Sequence, residues 1–293
     1  MNNPFKGSGV ALVTPFNDDL SIDFDALRKL VNYQIDNGTD FLVVQGTTGE
    51  SPTLSKEEKL EALKCVQDEN KGRLKIVFGI GGNNTVEVGA FLKSISNEGL
   101  DGILSVSPYY SKPTQKGIVE HYKYLASCTP LPIILYNVPG RTASNVSVAT
   151  TLELAKIDNI VAMKEASGDF SQIMEIVQNK PEGFDVLSGD DAITMPMMAV
   201  GVTGVISVVA NAYPKRFAEM VHAAANDDMD MARAAHYDLL PVTHMLFEEG
   251  NPGGVKVALE KQGIMKPLMR MPLYPISQDL RTRIENETER IIG

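Results

Sequence analysis

The chain has 293 residues, of which 43% are hydrophobic, and a formal net charge of −10 at pH 7. This length fits one (β/α)₈ barrel of about 250 residues with a short appendage, and the acidic charge argues against nucleic acid as a partner. The two cysteines, Cys65 and Cys128, form neither a metal-ligand cluster nor a disulfide framework. We therefore expect both to be packing residues in a reducing cytoplasm.

Two segments bear on targeting and membrane insertion. Residues 1–9 are polar and rich in glycine, which predicts no secretory signal peptide. Between Asp191 and Lys215 no acidic or basic residue occurs, and a charge-free stretch of this length is compatible with a membrane span. Pro196 and Gly201 interrupt this stretch, and its second half has strand composition. The sequence therefore predicts a cytoplasmic protein without a membrane span.

Short apolar runs rich in β-branched residues alternate with helical patterns along the chain. Eight runs are predicted strands: Val10–Phe16, Phe41–Gln45, Lys75–Ile80, Gly102–Val106, Pro132–Asn137, Ile160–Lys164, Phe184–Ser188 and Gly204–Val209. Helix signals lie between them, such as Ser55 and Glu58, which are spaced as a capping box. Eight alternating units predict an α/β fold, a (β/α)₈ TIM barrel.

After the eighth run the pattern is helical only. Pro214–Ala225 is predicted to close the barrel. Three further helices are expected over Met229–Glu248, Gly253–Gln262 and Ser277–Ile292. Glycine and proline separate these segments, which is typical of helix ends. We therefore expect a barrel catalytic domain over residues 1–226 and a small helical domain over residues 227–293.

The sixth run ends in a lysine, Lys164. A strand buried on both faces makes an ammonium group costly unless the group is paired, solvated or neutral. A neutral lysine amine is a nucleophile that forms a Schiff base with a carbonyl compound, although many lysines at strand ends simply reach solvent. Strand alternation places Lys164 on the same side as Ala162 and Ile160. The sequence leaves open whether that side faces the barrel interior.

Polar residues follow the other strands, at the rim where barrel enzymes carry their chemistry. The candidates are Gly46–Ser51, Ser107–Tyr110, Tyr136–Thr142 and Ser188–Asp191. The turn Gly46–Gly49 could be only a tight connection, but its amides can also hold a carboxylate. Tyr136 could be a core aromatic and Arg141 a loop cation. Together with Lys164, however, these residues would rarely meet at one rim by accident, and they indicate a functional site.

A glycine-rich segment, Gly79–Gly82, raises the question of a dinucleotide cofactor. The final glycine of a G-x-G-x-x-G loop is replaced by Asn84. The match is therefore too weak to predict a nucleotide site.

Five motifs, GTTGES, SPYY, YNVPGRT, VAMKEASGD and GVISV, closely resemble those of the 4-hydroxy-tetrahydrodipicolinate synthase (dihydrodipicolinate synthase) family. The resemblance runs essentially end to end. This family belongs to the pyruvate-dependent Schiff-base aldolases, which also include N-acetylneuraminate lyase. It implies condensation of pyruvate with L-aspartate 4-semialdehyde, the first committed step toward diaminopimelate and lysine, with no metal and no organic cofactor. It also implies a homo-oligomer, either a dimer or a tetramer.

The resemblance implies catalytic roles for four side chains. Lys164 would attack the pyruvate ketone and become an imine. Tyr136 would exchange protons during imine formation and cyclisation, and it would be linked through Thr47 to Tyr110. Hydrogen-bonded hydroxyls can pass a proton that a single tyrosine holds too tightly. The counterpart of Tyr110 enters the neighbouring subunit's site in members of the family.

Four further positions match residues that bind the substrates. Thr48 and the adjacent amides correspond to the clamp for the pyruvate carboxylate. Arg141 corresponds to the residue that holds the carboxylate of the semialdehyde, where a planar guanidinium gives orientation as well as charge. Gly189 and Ile206 match backbone positions near the lysine.

A possible allosteric pocket for L-lysine is also implied. Ser51, Asn83, Glu87 and Tyr109 match it, whereas Lys56 and Lys59 stand where strongly inhibited members have histidines. Two ammonium groups near a cationic effector would repel it, although both could instead point to solvent. We therefore expect weak or absent inhibition, which an activity assay over increasing L-lysine tests.

Two other functions remain open at this stage. A sibling lyase that acts on N-acetylneuraminate or a 2-keto-3-deoxy sugar acid would use the same lysine and tyrosine, but it is expected to lack Arg141. A non-catalytic metabolite sensor on a barrel scaffold would have little need for a buried lysine aligned with Tyr136.

Overall fold

The computed structural model describes residues 3–293. The prediction that residues 1–9 form no signal peptide falls partly on Met1 and Asn2, which lie outside the described residues. Eight parallel strands close into a barrel in chain order. They are β1 (Gly7–Ala11), β2 (Phe41–Val44), β3 (Lys75–Gly79), β4 (Gly102–Val106), β5 (Ile133–Asn137), β6 (Ile160–Glu165), β7 (Asp185–Ser188) and β8 (Gly204–Ser207). The predicted (β/α)₈ barrel is confirmed.

Helices surround the barrel and continue beyond it. Those of the barrel are α1 (Phe24–Asp36), α2 (Lys56–Asn70), α3 (Thr85–Ser94), α4 (Gln115–Ser127), α5 (Pro139–Thr142), α6 (Val148–Leu154), α7 (Phe170–Asn179), α8 (Thr194–Ala199) and α9 (Pro214–Ala225). The C-terminal helices are α10 (Met229–Glu248), α11 (Gly253–Lys261) and α12 (Gln278–Ile292). The division into two domains at residue 226 stays a prediction.

Local sequence signals fix several helix starts. The Ser55 side chain accepts the Glu58 N–H at 3.2 Å, and the Glu58 carboxylate accepts the Ser55 N–H at 2.9 Å. The predicted capping box therefore begins α2 by satisfying two N–H groups that have no partner within the helix.

The first strand is the largest departure from the predicted elements. The expected run Val10–Phe16 contains only the end of β1, because the chain leaves the sheet after Ala11. Val13 donates its N–H to the Asn211 side chain at 3.1 Å instead of to a neighbouring strand. Phe16 pairs with Ile22 in an isolated antiparallel bridge. The strand begins earlier, at Gly7, although glycine is a poor strand former.

Close contact with the last strand explains the early start of β1. A Cβ atom added to Gly204 would lie 2.4 Å from the Gly7 oxygen. Only a glycine at position 204 lets β8 approach β1 closely enough to close the barrel.

An irregularity in β6 decides which residues face the interior. Ile133 of β5 pairs with Ile160, but Ile134 pairs with Ala162, so Val161 is an extra residue in β6. Ile160 consequently packs in the outer core beneath the helices, whereas Ala162 lies in the inner core of the barrel. The expectation that Ile160 shares a side with Lys164 is wrong, because a bulge shifts the alternation by one residue.

Two hydrophobic cores result from this alternation. The inner core fills the barrel and includes Phe41, Leu104, Ile134 and Leu187. The outer core lies between strands and helices and is the larger of the two. Cys65 and Cys128 are buried and unpaired. In residues 3–293, no helix has both the length and the apolar character needed to cross a membrane.

Candidate active site

A cavity of about 730 Å³ opens at the carboxyl ends of the strands. Six of the residues predicted to form the site line it: Thr47, Thr48, Tyr136, Arg141, Lys164 and Gly189. The parallel barrel brings them together because the ends of all its strands meet at one rim. The outer wall is formed by α10 and the residues that follow it, including Thr243, His244, Glu248 and Asn251.

Lys164 is a buried lysine whose amine has no hydrogen-bonding partner within residues 3–293. Its exposed fraction is 6%, and its Nζ lies 4.4 Å from the centre of the Tyr136 ring. Among residues 3–293, no acceptor lies within hydrogen-bonding distance of Nζ. Burial lowers the pKa of Lys164 to about 8; Asp191 opposes the shift and Arg141 adds to it. Part of the Lys164 amine is therefore unprotonated, and hence nucleophilic, near neutral pH.

Tyr136 is held beside the lysine by the strand register. Tyr136 on β5 is directly paired with Lys164 on β6, so both side chains enter the barrel mouth at the same level. Burial raises the pKa of the Tyr136 hydroxyl, while Arg141 and a hydrogen bond with Thr47 lower it. The phenol therefore keeps its proton at neutral pH and can donate it.

The segment after β2 forms a tight turn against the cavity. Thr47–Gly49 is a single 3₁₀ turn, and the Glu50 backbone that ends it is left-handed with φ of 55°. Asn251 Nδ2 donates to Thr48 Oγ1 at 3.0 Å. Because that hydroxyl oxygen accepts, its hydrogen can be donated to a ligand. Backbone amides and a hydroxyl hydrogen together suit a carboxylate.

Gly189 lies against the lysine side chain. A Cβ atom added there would sit 2.9 Å from Lys164 Cε and 2.9 Å from the Ala166 Cβ. Glycine is therefore required at this position if Lys164 is to keep its orientation. Ile206 is 1% exposed in the inner core, pairs with Gly9 of β1 and does not line the cavity.

Asp191 belongs to a rim segment that the sequence indicated, although no local motif assigns it a role. Its Oδ2 accepts the N–H groups of Val208 at 2.9 Å and Val209 at 3.0 Å. Burial raises the pKa of Asp191, and the Asp191 charge raises the pKa of Lys164. This carboxylate therefore limits how far burial neutralises the lysine.

The sequence does not predict the wall formed by α10. Asp190, from the rim segment, lies in the same cavity as His244 and Glu248. No local motif marks His244 or Glu248, since they are ordinary positions on a long helix. Only the packing of α10 against the barrel brings them to the cavity.

Tyr110 is not at the site within one chain. Its side chain is 88% exposed, and its φ of 71° is in the left-handed region. It lines neither the main cavity nor a neighbouring cavity of about 280 Å³.

Two of the candidate allosteric residues line that smaller cavity. Ser51 and Tyr109 line it, and Asn83 Nδ2 donates to the backbone carbonyl oxygen of Tyr109 at 3.3 Å. Glu87 is exposed in the first turn of α3, and Lys56 Nζ lies 5.7 Å from the centre of the Phe91 ring. Burial and the Lys56 charge lower the pKa of Lys59. Weak or absent inhibition by L-lysine stays a prediction.

A (β/α)₈ barrel with a buried, unpaired lysine beside a tyrosine at its mouth has the arrangement of a Schiff-base lyase. A family model described as the dihydrodipicolinate synthetase family matches residues 4–291. A 4-hydroxy-tetrahydrodipicolinate synthase of Parabacteroides distasonis is 51% identical over 271 residues, covering 92% of this chain and 91% of that protein. One from Flavobacterium psychrophilum is 49% identical over 288 residues, covering 98% of both.

Solved structures give the same result. The dihydrodipicolinate synthase from Aquifex aeolicus has a TM-score of 0.94 and 42% identity, with 98% of each chain covered. The enzyme from Thermotoga maritima has a TM-score of 0.95 and 37% identity, with 99% of each chain covered. The chain therefore belongs to the dihydrodipicolinate synthetase family and is a lyase.

The contact between Gly189 and the lysine predicts the effect of one methyl group. We expect Gly189→Ala to slow the reaction of Lys164 with pyruvate about 100-fold, because the new Cβ displaces Cε. The rate of adduct formation, trapped by borohydride and read by mass spectrometry, measures this. Gly140→Ala is the matched control, since its added Cβ meets no atom within 4 Å in the same cavity. A wild-type rate in Gly189→Ala would contradict the steric argument.

Proposed function

We propose that this protein condenses pyruvate with L-aspartate 4-semialdehyde through a Schiff base on Lys164, giving 4-hydroxy-tetrahydrodipicolinate. The reaction is the first committed step toward diaminopimelate and lysine. The observation that carries the proposal is a buried lysine amine that has no acceptor in the described part of the chain and lies beside Tyr136 and the Thr48 turn. Relatives of about half identity, named as this synthase, support it.

The first step is imine formation. The Thr48 hydroxyl and the amides of its turn hold the pyruvate carboxylate, which directs the ketone toward Lys164. The free amine attacks C2, and the resulting carbinolamine loses water when Tyr136 protonates the departing hydroxyl group. The product is an imine between Lys164 and pyruvate, with a positive charge on nitrogen.

The second step forms the carbon–carbon bond. Loss of a C3 proton sends an electron pair to the iminium nitrogen and produces an enamine. C3 of the enamine attacks the aldehyde carbon, and the alkoxide that forms takes a proton. The amino group of the semialdehyde then attacks C2 and displaces Lys164, which closes the ring and restores the free amine. Tyr136, linked to Thr47, transfers protons in these steps.

Arg141 is proposed to hold the second substrate. Its side chain lines both the main cavity and the smaller neighbouring one. A guanidinium binds a carboxylate through two parallel hydrogen bonds, which fixes orientation as well as charge. This would present the aldehyde carbon of the semialdehyde to the enamine.

Trapping the imine tests the proposed function. Pyruvate with borohydride should attach a reduced three-carbon group to Lys164 and abolish activity, and peptide mass mapping should find it there. Because the free amine attacks, the rate should rise with pH through about 8. Lys164→Ala is the control and should form no adduct. An adduct on another lysine, or none with the wild-type protein, would refute the mechanism.

Arg141→Ala separates the two substrates. We expect kcat/KM for aspartate semialdehyde to fall about 10- to 100-fold through loss of charge-assisted hydrogen bonds. Pyruvate trapping should survive. It should be compared at pH 9, since Arg141 lowers the pKa of Lys164 and its removal reduces the free amine at neutral pH. Equal damage to both substrates at pH 9 would argue against this role.

We further propose a cytoplasmic homodimer or homotetramer in which Tyr110 enters the neighbouring subunit's site. The exposure of Tyr110 and its absence from its own cavity support this arrangement. Mixed oligomers of inactive Lys164→Ala and inactive Tyr110→Phe subunits should regain part of the activity, because some sites receive both intact groups. With subunit exchange verified by mass spectrometry, a complete lack of recovery would show that sites are not shared.

A further inference from the structure

A second buried lysine lies beneath the turn that is proposed to hold pyruvate. Lys256 on α11 is 0% exposed. Its Nζ donates to the backbone carbonyl oxygens of Thr14 at 2.8 Å and Leu268 at 2.7 Å, and to the Glu50 carboxylate. An ammonium has three donors, so all three are used. Lys256 therefore has a structural use for its charge.

The partner of this lysine ends the turn. Glu50 is buried, and its Oε2 accepts the backbone N–H of Arg270 at 3.0 Å. Its backbone is left-handed, a conformation that L residues adopt only when surrounding contacts impose it. The backbone N–H of Glu50 also donates to the backbone carbonyl oxygen of Thr47 at 3.1 Å, which closes the turn. Holding the Glu50 carboxylate from below therefore fixes the backbone of the turn.

The adjacent segment makes an independent contact with the same turn. Asn251, just before α11, donates to the Thr48 hydroxyl at 3.0 Å. The C-terminal part of the chain thus touches the turn at two positions two residues apart, Thr48 and Glu50. Neither Lys256 nor Glu50 lines the cavity, so neither charged group touches a ligand there. Both contacts therefore act on the geometry of the turn.

Stability alone gives little reason for such a pair. Two buried charges lose their hydration, and a well-packed apolar pair of similar size is often as stable or more so. A charge pair does impose one geometry, because any shift of the carboxylate leaves an ion unpaired. We infer that Lys256, acting through Glu50, is a positioning residue that sets the Thr47–Gly49 turn for the pyruvate carboxylate. This inference rests on the proposed function.

The double variant Glu50→Gln/Lys256→Met tests it without leaving a buried charge unpaired. The new carboxamide loses its charged partner, so the turn should be misaligned. Its oxygen can still accept the Arg270 N–H, so the fold should survive, as circular dichroism and the thermal transition report. We expect the pyruvate concentration for half-maximal trapping on Lys164 to rise about tenfold or more. The trapping rate at saturating pyruvate and the KM for semialdehyde should stay near wild-type values.

Acetone, a ketone without a carboxylate, separates positioning of the turn from general damage. Its trapping rate on Lys164 should be unchanged in the double variant, so the preference for pyruvate over acetone should fall. Lys261→Met is the matched control on the same helix, because Lys261 pairs with Glu289 on the surface. It should keep the wild-type preference. Glu50→Gln alone, which retains Lys256, should shift the preference in the same direction by less.

Three results would overturn the inference. They are an unchanged pyruvate requirement in the folded double variant, an equal loss with pyruvate and acetone, and a fall in saturating rate without a change in the pyruvate requirement. If the double variant does not fold, the same readings on Glu50→Gln/Lys256→Gln decide, since this pair also leaves no buried charge unpaired. Failure of the wild-type protein to trap pyruvate would instead refute the proposed function, so the two failures are distinguishable.

Discussion

The candidate active site depends on one constraint, a lysine amine enclosed at the mouth of a closed barrel, for which residues 3–293 provide no hydrogen-bond acceptor. Burial moves the pKa of Lys164 to about 8, and Asp191 keeps it from moving further. The same barrel sets the neighbour of the amine, since strand pairing puts Tyr136 opposite Lys164. The proposed nucleophile and the proposed proton donor are therefore held by backbone hydrogen bonds between β5 and β6 rather than by a flexible loop.

Two buried lysines in this chain illustrate how partners decide chemistry. Burial lowers the pKa of Lys164 and of Lys256 alike, to about 8 in each case. Lys256 has a carboxylate and two carbonyl oxygens as acceptors, which favour its charged form. Lys164 has an aromatic ring and an open cavity. Lys256 is therefore suited to hold structure, and Lys164 is suited to react.

The sequence predicted elements well where the signal was local. β4 has its predicted bounds, and Ser55 and Glu58 cap α2 as expected, because both features depend on residues close in the chain. β1 was misplaced, since a long-range bond from Val13 to Asn211 ends it early. The bulge at Val161 was also invisible, because it is defined only by pairing with β5.

By itself the sequence determined the barrel, the end of the sixth strand as the position of the lysine, and the rim motifs that follow the other strands. These follow from hydrophobic period and from the rule that strand ends meet at one rim. Tertiary structure alone decided that Lys164 faces inward, that Gly189 leaves room for its side chain, and that α10 and Asn251 complete the cavity wall. Those features depend on contacts between residues far apart in the chain, such as Asn251 with Thr48 and Lys256 with Glu50, and no local pattern encodes them.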